Sequence, residues 1–117
     1  MEKQLNKSIL ITGCSTGIGA ALVTEFLKQG YLVFGSVRDK KMEAPLKKKY
    51  GANFVPLVFD VTNYSQISKA YKKVKLTLKG SNLGILINNA GIAKLGPVEH
   101  ISSEEFDLHL KTMVLGT

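Results

Sequence analysis

The sequence predicts an α/β domain built on a parallel sheet wound with helices on both faces. Three observations carry this reading. Apolar runs of strand length alternate along the chain with amphipathic segments of helical period. Those runs are continuous and do not alternate with polar residues, the pattern of a sheet covered on both sides. A glycine cluster, Thr12-Gly13-Cys14-Ser15-Thr16-Gly17-Ile18-Gly19, stands where the first run ends and the first amphipathic segment begins.

The elements follow in order. Residues 8–12 form the first strand. Residues 17–29 form a helix with Ile18, Leu22 and Phe26 on one face, and Gly30 ends it. The second strand is "YLVFGSV" (31–37). A short helix follows over 40–50, with Pro45 as a first-turn residue and Gly51 as its close. The third strand is "NFVPLVF" (53–59). Pro56 offers no ladder hydrogen bond, so this strand belongs at or near an edge. The helix over 64–79 carries Ile67, Ala70, Tyr71, Val74 and Leu78 on its apolar face, and Asn63 with Gln66 has capping-box spacing. The fourth strand is "LGILINN" (83–89). Ser102 with Glu105 makes a second capping box, so a last helix begins near 103 and is still running at Thr117. The order is β-α-β-α-β-α-β-α. Such a sheet requires right-handed crossovers and binds its ligands at the carboxyl ends of its strands.

Composition narrows the class. The chain has 117 residues, 44% of them apolar and 21% charged, which suits one packed domain and excludes a disordered chain. No apolar run approaches the ~18 residues needed to span a bilayer. The polar start "MEKQLNKS" has no signal-peptide core, and the lone Cys14 excludes a disulfide framework, so a cytoplasmic protein is expected. The net charge of +7 comes from lysines on the polar faces of two predicted helices, with none of the strings that mark nucleic-acid binders; neither nucleic acid nor membrane is expected as a partner. His100 and His109 have no companions at ligand spacing, so no metal site is expected. Cys14 lies beside a helix N-terminus, which can lower a thiol pKa, but a neutral spectator is the simpler reading.

The glycine turn carries the chemistry. A turn between strand and helix gathers free backbone N–H groups, and the helix dipole adds positive character, so a pyrophosphate is its usual occupant. Gly13 allows the tight turn, Gly17 the approach of phosphate, and Gly19 close contact of helix and sheet. The spacing is G-x-x-x-G-x-G, and no lysine follows the last glycine, which excludes a P-loop.

"TGCSTGIG" resembles the T-G-x-x-x-G-I-G loop of short-chain dehydrogenases/reductases. "NNAG" (88–91) and "FDVTN" (59–63) match two further strings of that family, in order and on the expected elements. The resemblance covers nearly the whole chain but about the N-terminal half of a usual member. It implies a Rossmann-like fold, with 1–117 as an NADP(H)-binding domain. It also implies an oxidoreductase that interconverts a small-molecule alcohol and carbonyl by hydride transfer. Residue by residue, it implies cofactor contacts at Gly13, Ser15, Thr16, Gly17, Ile18 and Gly19. Asp60 would cap the adenine amino group with Val61 at the ring, and Asn89, Ala90 and Gly91 would flank a ribose, while Asn88 is read as structural.

Cofactor choice turns on the end of the second strand. Members that use NAD place an acid there; this chain has Val37 followed by Arg38, which matches the NADP pattern. A guanidinium binds a 2′-phosphate through paired hydrogen bonds. Asp39 could instead pair with Arg38 or face a 2′-hydroxyl, which keeps NAD(H) as the alternative.

The chain departs from the family where catalysis would be. Phe106-Asp107 and Gly116 align so that Met113 takes the place of the family's Asn. The Ser and the Y-x-x-x-K pair would follow Thr117. Tyr71 and Lys75 have that spacing but lie before "NNAG", so no catalytic residue is assigned in this chain. The expectation is that the molecule is incomplete at its C-terminus and inactive alone. Either more polypeptide or a second copy is expected to cover the outer edge of the fourth strand, and a homo-oligomer follows from the latter. The alternative is a dinucleotide-binding module or degenerate relative without catalysis.

Overall fold

The computed structural model describes residues 7–93 and 96–117. Four strands, β1 (Ser8–Ile11), β2 (Leu32–Val37), β3 (Phe54–Val58) and β4 (Ile85–Ile87), form one parallel sheet in the order β3-β2-β1-β4. Helices α1 (Gly17–Lys28), α2 (Glu43–Tyr50) and α3 (Tyr64–Leu78) make the crossovers, and α4 (Ser103–Leu110) follows β4. The expected doubly wound, Rossmann-like architecture is present.

The pleat divides the core in two. Ile9, Ile11, Val33 and Phe54 point to one face, where Val23 of α1 and Leu46 of α2 cover them. Phe34, Leu57 and Phe59 point to the other, beneath Ala70 and Val74 of α3. Burying the larger of these side chains contributes about 1.5–3 kcal/mol each, which is why the strands need apolar residues on both faces. Gly35 of β2 is the tightest point of the first layer. A Cβ there would stand 2.6 Å from the Phe54 ring and 3.1 Å from Cys14 Sγ.

Pro56 lies on an edge strand, as expected, and the structure adds how that edge is protected. The Lys47 ammonium of α2 donates to the Phe54 carbonyl at 2.6 Å, and Lys73 of α3 donates to the Pro56 carbonyl at 2.8 Å. Two outward-facing acceptors of β3 are thus engaged, and proline supplies no donor between them.

Several boundaries differ from the sequence reading. β4 has three residues where seven were expected, because the flanking Gly84 and Asn89 N–H groups bond to side chains of β1 and its end, Ser8 Oγ and Thr12 Oγ1. Residues 40–42 form a separate turn of 3₁₀ helix capped by Asp39, and α2 starts at Glu43 with Pro45 in its first turn. The Ser102–Glu105 capping box is formed. The Asn63–Gln66 box is half formed: Asn63 Oδ1 accepts from Gln66 N–H, but Gln66 Oε1 turns to the Asp60 N–H at 2.8 Å. Asn63 has already given its own N–H to the Asp60 carbonyl. After α4 the backbone widens into a π turn over Lys111–Leu115 and does not run on to Thr117. On α1, Val23 is the fully buried residue while Ile18 is 72% exposed; on α3, Tyr71 is exposed as well.

The Gly35–Phe54 contact predicts that Gly35→Ala lowers the unfolding free energy by about 1–3 kcal/mol, the cost of overpacking. Urea unfolding measures it, and an unchanged midpoint would show that the layer has slack.

Candidate functional site

The carboxyl ends of β1, β2 and β4 meet around a cleft of about 230 Å³. Hydrogen bonds from Thr12, at the end of β1, assemble one wall. Its hydroxyl accepts from the N–H groups of Asn89 (3.0 Å) and Ala90 (2.8 Å). The Asn89 side-chain amide returns two bonds, to the carbonyls of Thr12 and Gly13, each at 3.1 Å. The glycine turn and the "NNAG" segment are one interlocked unit.

The turn itself is tightly confined. Gly13 has φ +70° and Gly17 has φ +63°, values that favour glycine. A Cβ on Gly13 would stand 2.9 Å from Ala90 Cα, and one on Gly19 would strike the Gly13 carbonyl. A Cβ on Gly17 would meet nothing within 4 Å, so this glycine faces open space. Thr16 is the N-cap of α1 yet its side chain makes no capping bond, and no acid stands in the first turn. The N-terminal N–H groups of α1 therefore keep their donor capacity and partial positive charge.

Gly13, Ser15 and Thr16 line the cleft on one side, and Asn89, Ala90 and Gly91 on another. Arg38, Asp60 and Val61 stand at the β2–β3 end. Gly17, Ile18 and Gly19 do not line it; Gly19 is packed beneath the turn, and Ile18 lies exposed at the start of α1. Asn88 lines a different surface, a groove of about 530 Å³ beside α3, and so do Tyr71 and Lys75. That groove is apolar, with Leu10, Ile67, Val74 and Leu86 in its wall. Six cleft residues were not among the expected contacts: Ser36, Val37, Phe59, Ile92, Leu108 and Thr112. Spacing could have found Ser36, because it lies two residues before Arg38, which directly follows β2.

The electrostatics are asymmetric. Arg38 is exposed and forms no ion pair among the described residues. Asp39 lines an adjoining hollow with Ser15, Arg38 and Asp60, and its Oδ1 accepts from the Lys41 N–H at 2.9 Å. The Asp60 carboxyl is held below its ordinary 3.8, chiefly by the Thr62 backbone N–H, with the Thr62 hydroxyl and the Arg38 charge adding to the effect and burial opposing it. Asp60 therefore stabilises the fold above pH 3.8, and that stabilisation is lost as pH falls through its lowered pKa. Cys14 has the opposite environment. Fully buried, with Sγ donating to the Ile11 carbonyl at 3.0 Å, its thiol is pushed up to about 12 by burial and is neutral at ordinary pH. Met113, in the π turn, lays its Sδ 3.0 Å from where a Cβ on Gly91 would stand, beside the cleft. Among the described residues, no cluster of His, Cys, Asp or Glu could hold a metal, and no helix is long and apolar enough to cross a membrane.

Known proteins share this arrangement. The family described as short chain dehydrogenase matches residues 7–117, and the chain belongs to that family. It is 43% identical over 96 residues to an NADPH-dependent 3-dehydrocapnine reductase of Ornithobacterium rhinotracheale, covering 82% of this chain and 34% of that one. The NADPH-bound carbonyl reductase from chicken fatty liver superposes with a TM-score of 0.85 at 31% identity, over 94% of this chain and 46% of that one. The 3-ketoacyl-(acyl-carrier-protein) reductase of Brucella melitensis complexed with NADH also gives 0.85, at 28% identity, over 93% and 44%. The chain thus spans a third to a half of the length of these relatives.

Two outcomes test the electrostatics. Thr62→Val, which removes one donor to Asp60, raises the Asp60 midpoint in a carboxyl NMR titration; an unmoved midpoint would contradict the assignment. Cys14 resists a thiol reagent at pH 8 in the native protein and reacts once it is unfolded; rapid native labelling would contradict its burial.

Proposed function

We propose that this chain binds NADP(H) and is the cofactor-binding portion of an oxidoreductase that interconverts a small-molecule alcohol and its carbonyl. One observation carries the reading: an uncapped helix N-terminus behind a glycine turn opens on the same cleft as an Arg38 without an ion pair among the described residues. One end of the cleft suits a pyrophosphate and the other a 2′-phosphate. The relatives named for NADPH support the same cofactor.

In this reading residues 1–117 act as one dinucleotide-binding unit. Gly13, Ser15, Thr16, Gly17, Ile18 and Gly19 form the pyrophosphate turn, with Gly19 serving by close packing. Arg38 binds the 2′-phosphate. Asp60, ionised at neutral pH, accepts from the adenine amino group, and Val61 packs on the ring. Asn89, Ala90 and Gly91 bound the nicotinamide ribose. When bound, the dinucleotide supplies or accepts the hydride. The described residues supply the seat, with one oxygen of Asp39 engaged by the Lys41 N–H and Arg38 offered to the 2′ position. NAD(H) is the weaker ligand.

Met113 favours a second reading, a dinucleotide-binding module without turnover. A thioether accepts hydrogen bonds weakly and donates none, so it does not replace an amide in a proton relay. The two readings share the cleft and separate on activity. A cytoplasmic, homo-oligomeric protein fits both. Apolar side chains on the C-terminal segment, Phe106 at 59% and Val114 at 62% exposure, support self-association.

Fluorescence titration tests the cofactor. NADPH binds at least about tenfold more tightly than NADH, as expected for a charge-assisted contact, and Arg38→Ala removes most of the difference. Tighter NADH binding, or a preference unchanged by the substitution, refutes the 2′-phosphate assignment.

A further inference from the structure

Ser36 stands near the carboxyl end of β2, 3% exposed, in the wall of the cleft. Two of its groups hold the glycine turn. Its Oγ accepts from the Gly13 N–H at 3.0 Å, and its carbonyl accepts from the Cys14 N–H at 2.8 Å. The turn is thus pinned from two sides, by Ser36 on β2 and by the backbone of Ala90, which leaves no room for a Cβ on Gly13. Arg38 lies two residues further along, just past the end of β2. Its backbone does not depend on the Ser36 hydroxyl, because β3 fixes this end of β2 through the pairs Ser36↔Leu57 and Val37↔Val58 and through the bond from Phe59 N–H to the Val37 carbonyl.

We propose that Ser36 is a positioning residue whose hydroxyl holds the glycine turn in the shape that receives a dinucleotide pyrophosphate, leaving the 2′-phosphate end of the cleft unaffected. The inference rests on the NADP(H) reading above and adds to it a division of labour along β2. Without the hydroxyl, the Gly13 N–H loses its protein partner at a part-buried position and the turn loses one of its two ties to β2.

The test uses two ligands on the full chain. NADPH carries both the pyrophosphate and the 2′-phosphate; adenosine 2′-monophosphate carries only the latter. Ser36→Ala weakens NADPH about tenfold, the range for an unmet part-buried donor, and leaves adenosine 2′-monophosphate within about twofold. Ser36→Thr, which keeps the hydroxyl, restores NADPH binding. Should Ser36→Ala fail to fold, Ser36→Cys, with similar volume and a weaker acceptor, replaces it in both titrations. Equal weakening of both ligands, or unchanged NADPH affinity, overturns the proposal. Failure of the unaltered chain to bind either ligand overturns the cofactor reading itself.

Discussion

The site depends on one hydroxyl. Thr12 closes β1, and its Oγ1 takes the N–H groups of both Asn89 and Ala90. Two backbone donors that would otherwise lie unpaired at the end of a three-residue strand are satisfied there, and the ends of β1 and β4 are drawn together. The Asn89 amide then ties back to the Thr12 and Gly13 carbonyls, so the glycine turn has little freedom to drift from β4. The fit of Gly13 against Ala90, the depth of Gly19 beneath the turn and the width of the cleft all follow from this clamp.

A second tie, from β2, gives the cleft its other wall. Ser36 and Thr12 are short hydroxyl residues on adjacent strands, both nearly buried, and both spend oxygen lone pairs on N–H groups near the turn. The helix N-terminus behind the turn is left without a side-chain cap. The protein satisfies the donors that shape the cleft and leaves open those that can face a ligand. The charges follow the same division: Asp39 is occupied by its own turn, Asp60 is kept ionised, and Arg38 stands without an ion pair among the described residues.

Much of this was legible in the sequence. Continuous apolar runs announced a sheet covered on both faces, and Pro56 announced an edge, because each reflects a local rule that tertiary packing did not override. Three matching strings announced the family, and the residues they named gather at the strand ends, apart from Gly17, Ile18 and Gly19. What escaped was set by competition between partners. The Gln66 side chain went to Asp60 because Asn63 had already given its N–H away. Ile18 kept the helical period but lies on the first turn of α1, beyond the reach of the sheet, and stays exposed. β4 shortened because side-chain hydroxyls took the N–H groups at its ends. Ser36 gave no signal by residue type, since a serine in a strand is ordinary until the turn it holds is seen.

The two margins of the sheet are unlike each other. Along β3, lysine ammonium groups sit on the outward carbonyls and a proline interrupts the donors. Along β4, the outer side pairs with no strand among the described residues. A sheet with one blocked margin is a chain terminator in the polymer sense. Whatever strand meets the β4 margin, the β3 margin offers few open groups to a further one, so growth of the sheet by strand addition is discouraged on that side.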